Sequence, residues 1–138
     1  MRRASLLMLF LLAAVLPALA QDPVRVDPKH YKVEFENSSV RVLRIKYGPH
    51  EKSVMHRHPN SVAIFQTDGR VKFTYPGGKS EEMDLKAGQA VWTPATKHLP
   101  ENLTDSEMEV ILVEMKARRR PAAKKPANTN TTTNSNPP

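Results

Sequence analysis

The sequence predicts an all-β domain that closes into a jelly roll or a small barrel. Between residues 21 and 115 there is almost no helical period, and short runs instead alternate apolar with polar residues. Turn-forming Gly, Pro and Asn residues separate these runs at close intervals. Closing the sheet is the economical way to protect the edges of so many short strands, so we expect a jelly roll or barrel of eight or nine strands.

Eight runs carry the predicted strands: residues 31–37, 40–47, 53–58, 61–66, 70–75, 80–88, 90–94 and 108–115. In the second run the apolar positions change phase after Val42, which predicts a β-bulge. In the last run residues 110–113 are continuously apolar, which predicts a strand buried on both faces.

The first 20 residues have the three parts of a secretory signal peptide. Arg2 and Arg3 precede an apolar run, residues 6–16, and Ala18-Leu19-Ala20 forms a small-x-small cleavage site. The run is short for a membrane span and Pro17 interrupts it, which argues against a retained anchor. We therefore expect cleavage near Ala20–Gln21 and a periplasmic or secreted protein.

The opposite end of the chain, residues 116–138, is predicted to be a disordered tail that follows an N-terminal strand region, 21–39, and a barrel, 40–115. The tail is rich in Pro, Asn and Thr, and after Lys116 it has no apolar residue larger than Ala.

The formal charge of +7 belongs to the two ends of the chain, because residues 21–115 hold 13 basic and 14 acidic residues. This balance argues against nucleic-acid binding by the domain. The tail is either a solvated segment or a weak contact for an anionic surface. With no cysteine, the chain has neither a disulfide nor a thiolate site.

Two of the five histidines, His56 and His58, lie two residues apart in a strand-like stretch, "VMHRHPNSVAIFQ". Side chains at this spacing share one face of a strand, so both imidazoles could reach one ion. If the phase continues through Pro59-Asn60, then Val62 and Gln66 share that face. Buried imidazoles need partners, and a metal ion is one such partner.

A second segment, "GQAVWTPATKHLPEN", contains Gly88, Pro94, His98 and Asn102. Together with His56, His58 and Gly69, these residues resemble the two motifs of the cupin superfamily, G-x5-H-x-H-x(3,4)-E-x6-G and G-x5-P-x-G-x2-H-x3-N, in a small single-domain protein of the cupin_2 conserved-barrel type. The resemblance spans about residues 40–115. It departs from the pattern at Gly48, which lies two residues too far upstream, and in the second motif, which lacks its internal glycine and is one residue short before the histidine.

The resemblance implies a cupin jelly roll in which His56, His58 and His98 bind a divalent metal: Fe, Zn, Ni, Cu or Mn. The usual glutamate ligand is absent, because Val62 occupies its place. A metal held by three neutral imidazoles keeps a local charge near +2 and should prefer an anionic or chelating ligand. The residues expected to line the ligand pocket are Val62, Gln66, Trp92 and Asn102.

Three functions stay open at this point. The first is an exported cupin whose pocket, with or without a metal, holds a small ligand, and the second is a metal-dependent oxygenase or isomerase acting on a small anionic substrate. No general base is evident, so the sequence does not decide whether the protein is an enzyme. In the third, the histidines are structural. We expect His30 and His50 at the surface and treat Glu51 and Glu101 as solvated carboxylates, and a homodimer formed through sheet edges is left open.

Overall fold

The computed structural model describes residues 21–117, so the predicted signal peptide and nearly all of the predicted tail lie outside the described residues. The elements are one short helix and nine strands: α1 Pro23–Val26, β1 Tyr31–Glu36, β2 Val40–Tyr47, β3 His56–His58, β4 Ser61–Phe65, β5 Gly69–Thr74, β6 Ser80–Leu85, β7 Ala90–Thr93, β8 Thr96–Asn102 and β9 Met108–Met115. Within residues 21–117, no helix has the length and apolar character needed to cross a membrane.

The strands form two antiparallel sheets with a single core, which confirms the predicted jelly roll. One sheet has five strands in the order β1-β2-β9-β4-β7, and the other has four in the order β3-β8-β5-β6. The core consists of buried apolar side chains from both sheets: Tyr31, Leu43, Ile45, Tyr47, Ala63, Phe65, Val71, Leu85, Met108, Val110 and Leu112.

Two elements were not predicted from the sequence. Strand β8 reads "TKHLPEN", which has no alternating apolar pattern and contains Pro100, a residue that removes a backbone donor. It forms because it lies between β3 and β5 and pairs with both. Helix α1 is a single turn, capped by the Asp22 side chain, which accepts a hydrogen bond from the Val24 amide.

Two predictions about strand geometry were wrong in detail. The register shift lies on β1, between Val33 and Phe35, whereas β2 pairs with β9 without interruption. Strand β9 is not buried on both faces, because Met108, Val110, Leu112 and Glu114 are buried and the alternate residues are only half-buried. Its apolar residues on the other face are therefore a partly covered outer surface.

The connection between β3 and β4 shifts the phase of the inward-facing positions. His56 and His58 are buried on β3, but after Pro59-Asn60 the buried residues of β4 are Ser61, Ala63 and Phe65. A shift of one residue turns every following side chain to the other face of a sheet. Val62 therefore points away from the histidines, contrary to the expectation of continuous phase.

Leu43 and its cross-strand partner Val33 provide a test of this packing. Leu43 is fully buried and Val33 is 43% exposed. We expect Leu43→Ala to lower the free energy of unfolding by about 2–5 kcal/mol through lost burial and a cavity, and Val33→Ala to change it by roughly 0.5 kcal/mol or less. Urea unfolding of both variants measures the difference, and equal effects would contradict the assigned core.

Candidate metal centre

Strand pairing brings the three predicted ligands together. In the ladder between β3 and β8, His56 lies directly opposite His98, and His58 follows two residues along β3 on the same face. One ligand atom from each histidine lies within 4.8 Å of the ligand atoms of the other two. This cluster could hold a metal ion.

The hydrogen bonds of His56 determine which of its ring nitrogens is free. Its Nδ1 lies 2.8 Å from the Val54 carbonyl oxygen, which can only accept, so Nδ1 carries the proton and donates. In the neutral ring, Nε2 is then an acceptor with its lone pair in the plane of the ring. That Nε2 lies 2.9 Å from Nε2 of His58.

The orientation of His58 is set by Glu114 from the facing sheet. The His58 Nδ1 lies 2.7 Å from Oε1 of Glu114, which is 2% exposed. The second carboxylate oxygen accepts a 2.6 Å hydrogen bond from Nε of Arg41, and Arg41 also pairs with Asp22 at 2.8 Å. Burial opposes ionisation, but the hydrogen bonds from His58 and Arg41 prevail and hold the pKa of Glu114 below its usual value. A histidine that donates to a carboxylate in this way presents its other nitrogen as a metal ligand.

Sequence reasoning missed Glu114, although the sequence contains a signal for it. The residue lies at the end of a run in which Met108, Val110 and Leu112 alternate with residues of the other face, so it is in phase with the core. A glutamate in phase with core residues is rare unless it is paired. The prediction that residues 110–113 form a strand buried on both faces hid the alternation that places Glu114 on the core side.

The third histidine, His98, has a different environment. Its ring stacks on Phe73, with centroids 5.0 Å apart and an interplanar angle of 21°. Among the described residues, neither of its ring nitrogens has a hydrogen-bond partner within the protein. The ring lies edge-on to both His56 and His58, at centroid distances of 5.1 and 5.4 Å. Packing therefore fixes the ring while leaving its nitrogens free.

The local electrostatics keep two of the three histidines, His56 and His98, uncharged at neutral pH. Burial and the neighbouring His58 lower the pKa of His56 to about 4. Burial, with His58 and His56 nearby, lowers the pKa of His98 to about 3. Both are therefore neutral imidazoles, the form that binds metals.

A cavity of about 90 Å³ lies beside the cluster, between the two sheets. Its wall is almost entirely apolar, with Phe65, Val71, Met83, Leu85 and Val91 among its lining residues. The polar residues among those that line it are Tyr31, Tyr47, His58, Thr93, Thr96 and His98. No Asp or Glu lines this cavity within residues 21–117.

None of the four residues predicted to line the ligand pocket lies on this cavity, which is a correction to the sequence analysis. Val62 and Trp92 are cross-strand partners on the outer face of the five-stranded sheet, and Trp92 is 57% exposed. Gln66 is exposed just after β4, and its amide donates to the Ile64 carbonyl. Val62 and Gln66 were misplaced because the phase shifts at Pro59-Asn60, and Trp92 faces outward with its cross-strand partner Val62.

Asn102, the fourth of these residues, is fully buried but has a structural role. Its amide nitrogen donates to the carbonyls of Gly48 and Ser106 at 2.9 and 2.7 Å, and its oxygen accepts from the Thr104 amide. Asn102 therefore ties the β8–β9 connection to the end of β2.

The prediction that His30 lies at the surface was wrong. His30 is 7% exposed and lies between two carboxylates, with Nδ1 2.7 Å from Asp27 and Nε2 3.0 Å from Glu51. Asp27 also accepts from Ser53 Oγ at 2.5 Å. Glu51 is thus part of a hydrogen-bonded network, whereas His50 is exposed, as predicted.

Comparison with known proteins agrees with this architecture. The sequence profile of the cupin domain family Cupin_2 matches residues 43–114. A cupin domain from Bordetella pertussis Tohama I is similar in structure, with a TM-score of 0.59 and 27% identity over 63% of this chain and 92% of its own. A conserved double-stranded β-helix protein from Klebsiella pneumoniae aligns with a TM-score of 0.51 and 17% identity, over 75% of this chain and 90% of its own, and shows the fold alone. No curated protein matches the sequence.

The fold and the histidine cluster define a cupin barrel. The chain belongs to the Cupin_2 family, as the match over residues 43–114 shows.

The lowered pKa values of His56 and His98 predict that acid destabilises the metal-free protein. Between pH 6.5 and 4 the unfolded chain binds more protons at these residues than the folded chain does, so stability is full above pH 6.5 and falls as the pH is lowered. From pH 7.5 to 5 we expect a loss of about 2–4 kcal/mol from the pair, measured by urea unfolding. His98→Gln should reduce this dependence, and His50→Asn at the exposed site should leave it unchanged. If the free energy of unfolding of His98→Gln depended on pH as strongly as that of the wild-type protein, the account would be contradicted.

Proposed function

We propose that this cupin binds one divalent transition metal through His56, His58 and His98 and presents it to a small ligand in the adjoining cavity. The observation that carries the proposal is the approach of two ring nitrogens, Nε2 of His56 and Nε2 of His58, to 2.9 Å. Each ring donates from Nδ1 to an acceptor, Val54 O or Glu114, which leaves Nε2 of each neutral ring as an acceptor. Two acceptor nitrogens this close repel each other unless a proton or a metal ion lies between them.

A shared proton would meet that requirement for two histidines, but His98 favours a metal ion. A third neutral imidazole converges on the same point with no protein hydrogen bond to its ring nitrogens among the described residues. Three imidazoles are a common ligand set for Zn²⁺, and imidazole also suits Fe, Ni and Cu. A bound ion would supply Lewis acidity and a fixed position for a ligand.

The charge around the site supports an anionic ligand. The Glu114 carboxylate is already paired with Arg41 and His58, and the cavity wall contributes no carboxylate. A divalent ion here would keep most of its positive charge on the cavity side, which favours an anionic donor group. The apolar wall favours an apolar body attached to that group.

The size of the cavity restricts the ligand further. Its volume of about 90 Å³ is smaller than an engineered cavity of about 150 Å³ that binds benzene. The proposed ligand class is therefore a small molecule with one anionic metal-binding group and a body of only a few carbon atoms, such as a short-chain carboxylate.

An oxygenase or isomerase acting on the same small anions is the second candidate. The observation that favours it is the three-histidine ligand set, because three protein ligands leave positions open for a substrate. Tyr31, Tyr47, Thr93 and Thr96 line the cavity, although its wall is almost entirely apolar. It offers no carboxylate as a base, which favours ligand binding as the first candidate.

The metal proposal is tested by elemental analysis of residues 21–138, expressed without a His-tag and purified without chelator. We expect about one transition metal per chain after reconstitution. Removing a ligand, in His98→Ala or in His56→Ala/His58→Ala, should reduce the affinity by more than the roughly 10–100-fold that loss of an outer-shell partner costs. His50→Asn is the matched control. The proposal would be refuted if the wild-type protein took up none of Zn, Fe, Ni, Cu or Mn. It would also be refuted if the double variant bound metal as tightly as the wild-type protein.

Glu114 should raise metal affinity without touching the ion. Glu114→Gln keeps the size of the side chain but removes the charge that holds His58, so we expect a loss of affinity of about 10-fold or more, measured by competition with a metallochromic chelator. Glu109→Gln, on the opposite face of β9 and paired with Arg44 and Lys46, is the control. Equal affinities in the two variants would show that Glu114 has no role in orienting His58.

A further inference from the structure

The outer face of the five-stranded sheet carries a row of apolar side chains that crosses all five strands. Cross-strand pairing joins them in the order Phe35, Val42, Val113, Val62 and Trp92, and we call these five residues the outer row. The two aromatic side chains at its ends are exposed, Phe35 at 53% and Trp92 at 57%. The three valines between them are half-buried. The row is therefore a continuous apolar strip on the surface of the domain.

Apolar pairs on both sides of the outer row widen this strip. On one side Ile111 of β9 lies opposite Ile64 of β4, on the same face of the sheet, and both are half-buried. On the other side Val40 of β2 pairs with Met115 of β9. Single apolar residues on a protein surface are ordinary, but a contiguous apolar patch marks an interaction site.

The outer face of the four-stranded sheet has a different composition. There Lys72 lies between two cross-strand partners, Glu82 and Glu101. On the same face Arg70 pairs with Asp84. A sheet face in contact with water normally carries polar residues in this way. The four-stranded sheet is thus suited to face water, whereas the five-stranded sheet has an outer face suited to be covered.

The charged residues beside the outer row are of both signs and pair with one another. Arg44 forms ion pairs with Glu34 and Glu109. Lys46 forms ion pairs with Glu107 and Glu109. Charges that are already paired do not favour a strongly charged peptide or an anionic lipid surface as the partner. An apolar face bordered by mixed charge is instead complementary to a copy of itself.

The area of this face suits a dimer of modest stability. Five strands spaced about 4.8 Å apart, each of about six residues, give a flat area of roughly 500 Å². Side chains that stand on the sheet make the accessible area larger than the flat area. A standard interface buries about 800 Å² on each partner. The face is therefore at the lower end of what a specific dimer needs, and the fraction of dimer should depend on protein concentration.

We propose that the outer row is a dimer interface, at which two copies of this chain pack their five-stranded sheets face to face. Two apolar sheet faces pack in this way inside β-sandwiches, with their strands nearly aligned. The contact is through the face of the sheet, and it differs from the pairing of sheet edges that the sequence left open. It is independent of the proposed metal site, because the outer row lies on the opposite side of the sheet from the cavity.

The distribution of residues along the strands selects the direction of the two-fold axis. An axis parallel to the strands keeps each position along them unchanged, so the apolar ends of the two sheets meet. An axis along the outer row would place the end that carries Lys46 over the end that carries Met115. Because β9 is the middle strand, the parallel axis places β1 of one copy over β7 of the other. Phe35 then lies over Trp92 of the second copy.

Trp92 is the single tryptophan of the chain, so its fluorescence reports on this face. The test is sedimentation velocity together with tryptophan emission for residues 21–138, with a chelator present, from about 1 µM to 1 mM protein. We expect the mass to rise from one chain to two, and the emission to move to shorter wavelength over the same range as Trp92 leaves water. The control is Val54→Lys, at a residue that is 48% exposed and outside the outer row, and it should behave as the wild-type protein does.

Substitutions at the two ends of the outer row remove the interface. Both residues are more than half exposed, so the fold should remain intact. Phe35→Lys and Trp92→Lys should stay monomeric over the whole range, and the emission of Phe35→Lys should stay at the long wavelength of an indole in water. The double variant Phe35→Lys/Trp92→Glu places opposite charges over each other at both ends of the interface, so it should recover the dimer.

Four results would overturn the proposal in whole or in part. A wild-type protein that is monomeric at every concentration would exclude the dimer. A dimer that persists in both single variants would place the contact elsewhere, such as at the sheet edges. A monomer whose Trp92 emission shifts only when vesicles of phosphatidylcholine and phosphatidylglycerol are added would assign the face to a lipid surface instead. A double variant that stays monomeric would overturn the placement of Phe35 over Trp92 of the second copy.

Discussion

The buried carboxylate of Glu114 joins the two sheets of this barrel at the point where the site is formed. It lies on β9 in the five-stranded sheet and holds His58 on β3 in the facing sheet, while its second oxygen is held by Arg41, its direct neighbour on β2. A buried carboxylate is tolerated only when both oxygens are satisfied, and here the partners that satisfy them also orient a histidine. The free nitrogen of His58 is turned toward His56 for this reason.

The rest of the site follows from strand pairing around that contact. Pairing of β3 with β8 places His98 opposite His56, and β1 contributes Tyr31 from the other sheet. Next to this group, His30 stacks on Tyr47, and its two ring nitrogens are hydrogen-bonded to Asp27 and Glu51. The cluster is therefore supported by polar contacts on one side and opens on the other to an apolar cavity. This is an arrangement suited to holding a small ligand out of water.

The fold and the three histidines could be predicted from the sequence because both depend on local patterns. Alternation marks strands, and the spacing of His56, His58 and His98 within the cupin motifs marks a cluster. The pocket wall could not be predicted in the same way, because Pro59-Asn60 shifts the phase by one residue and exchanges Val62 for Ala63 on the inner face. Tyr31 and Glu114 reach the site only through the packing of one sheet on the other, and no sequence spacing encodes that contact.

Crystals of the metal-loaded protein, measured at the absorption edge of the bound element, test the central claim most directly. The account predicts one anomalous-scattering peak per chain, within bonding distance of Nε2 of His56, Nε2 of His58 and a ring nitrogen of His98. The His58 Nδ1 should remain on Glu114. A peak located elsewhere on the chain, or a fully loaded protein in which the three imidazoles surround no peak, would contradict it.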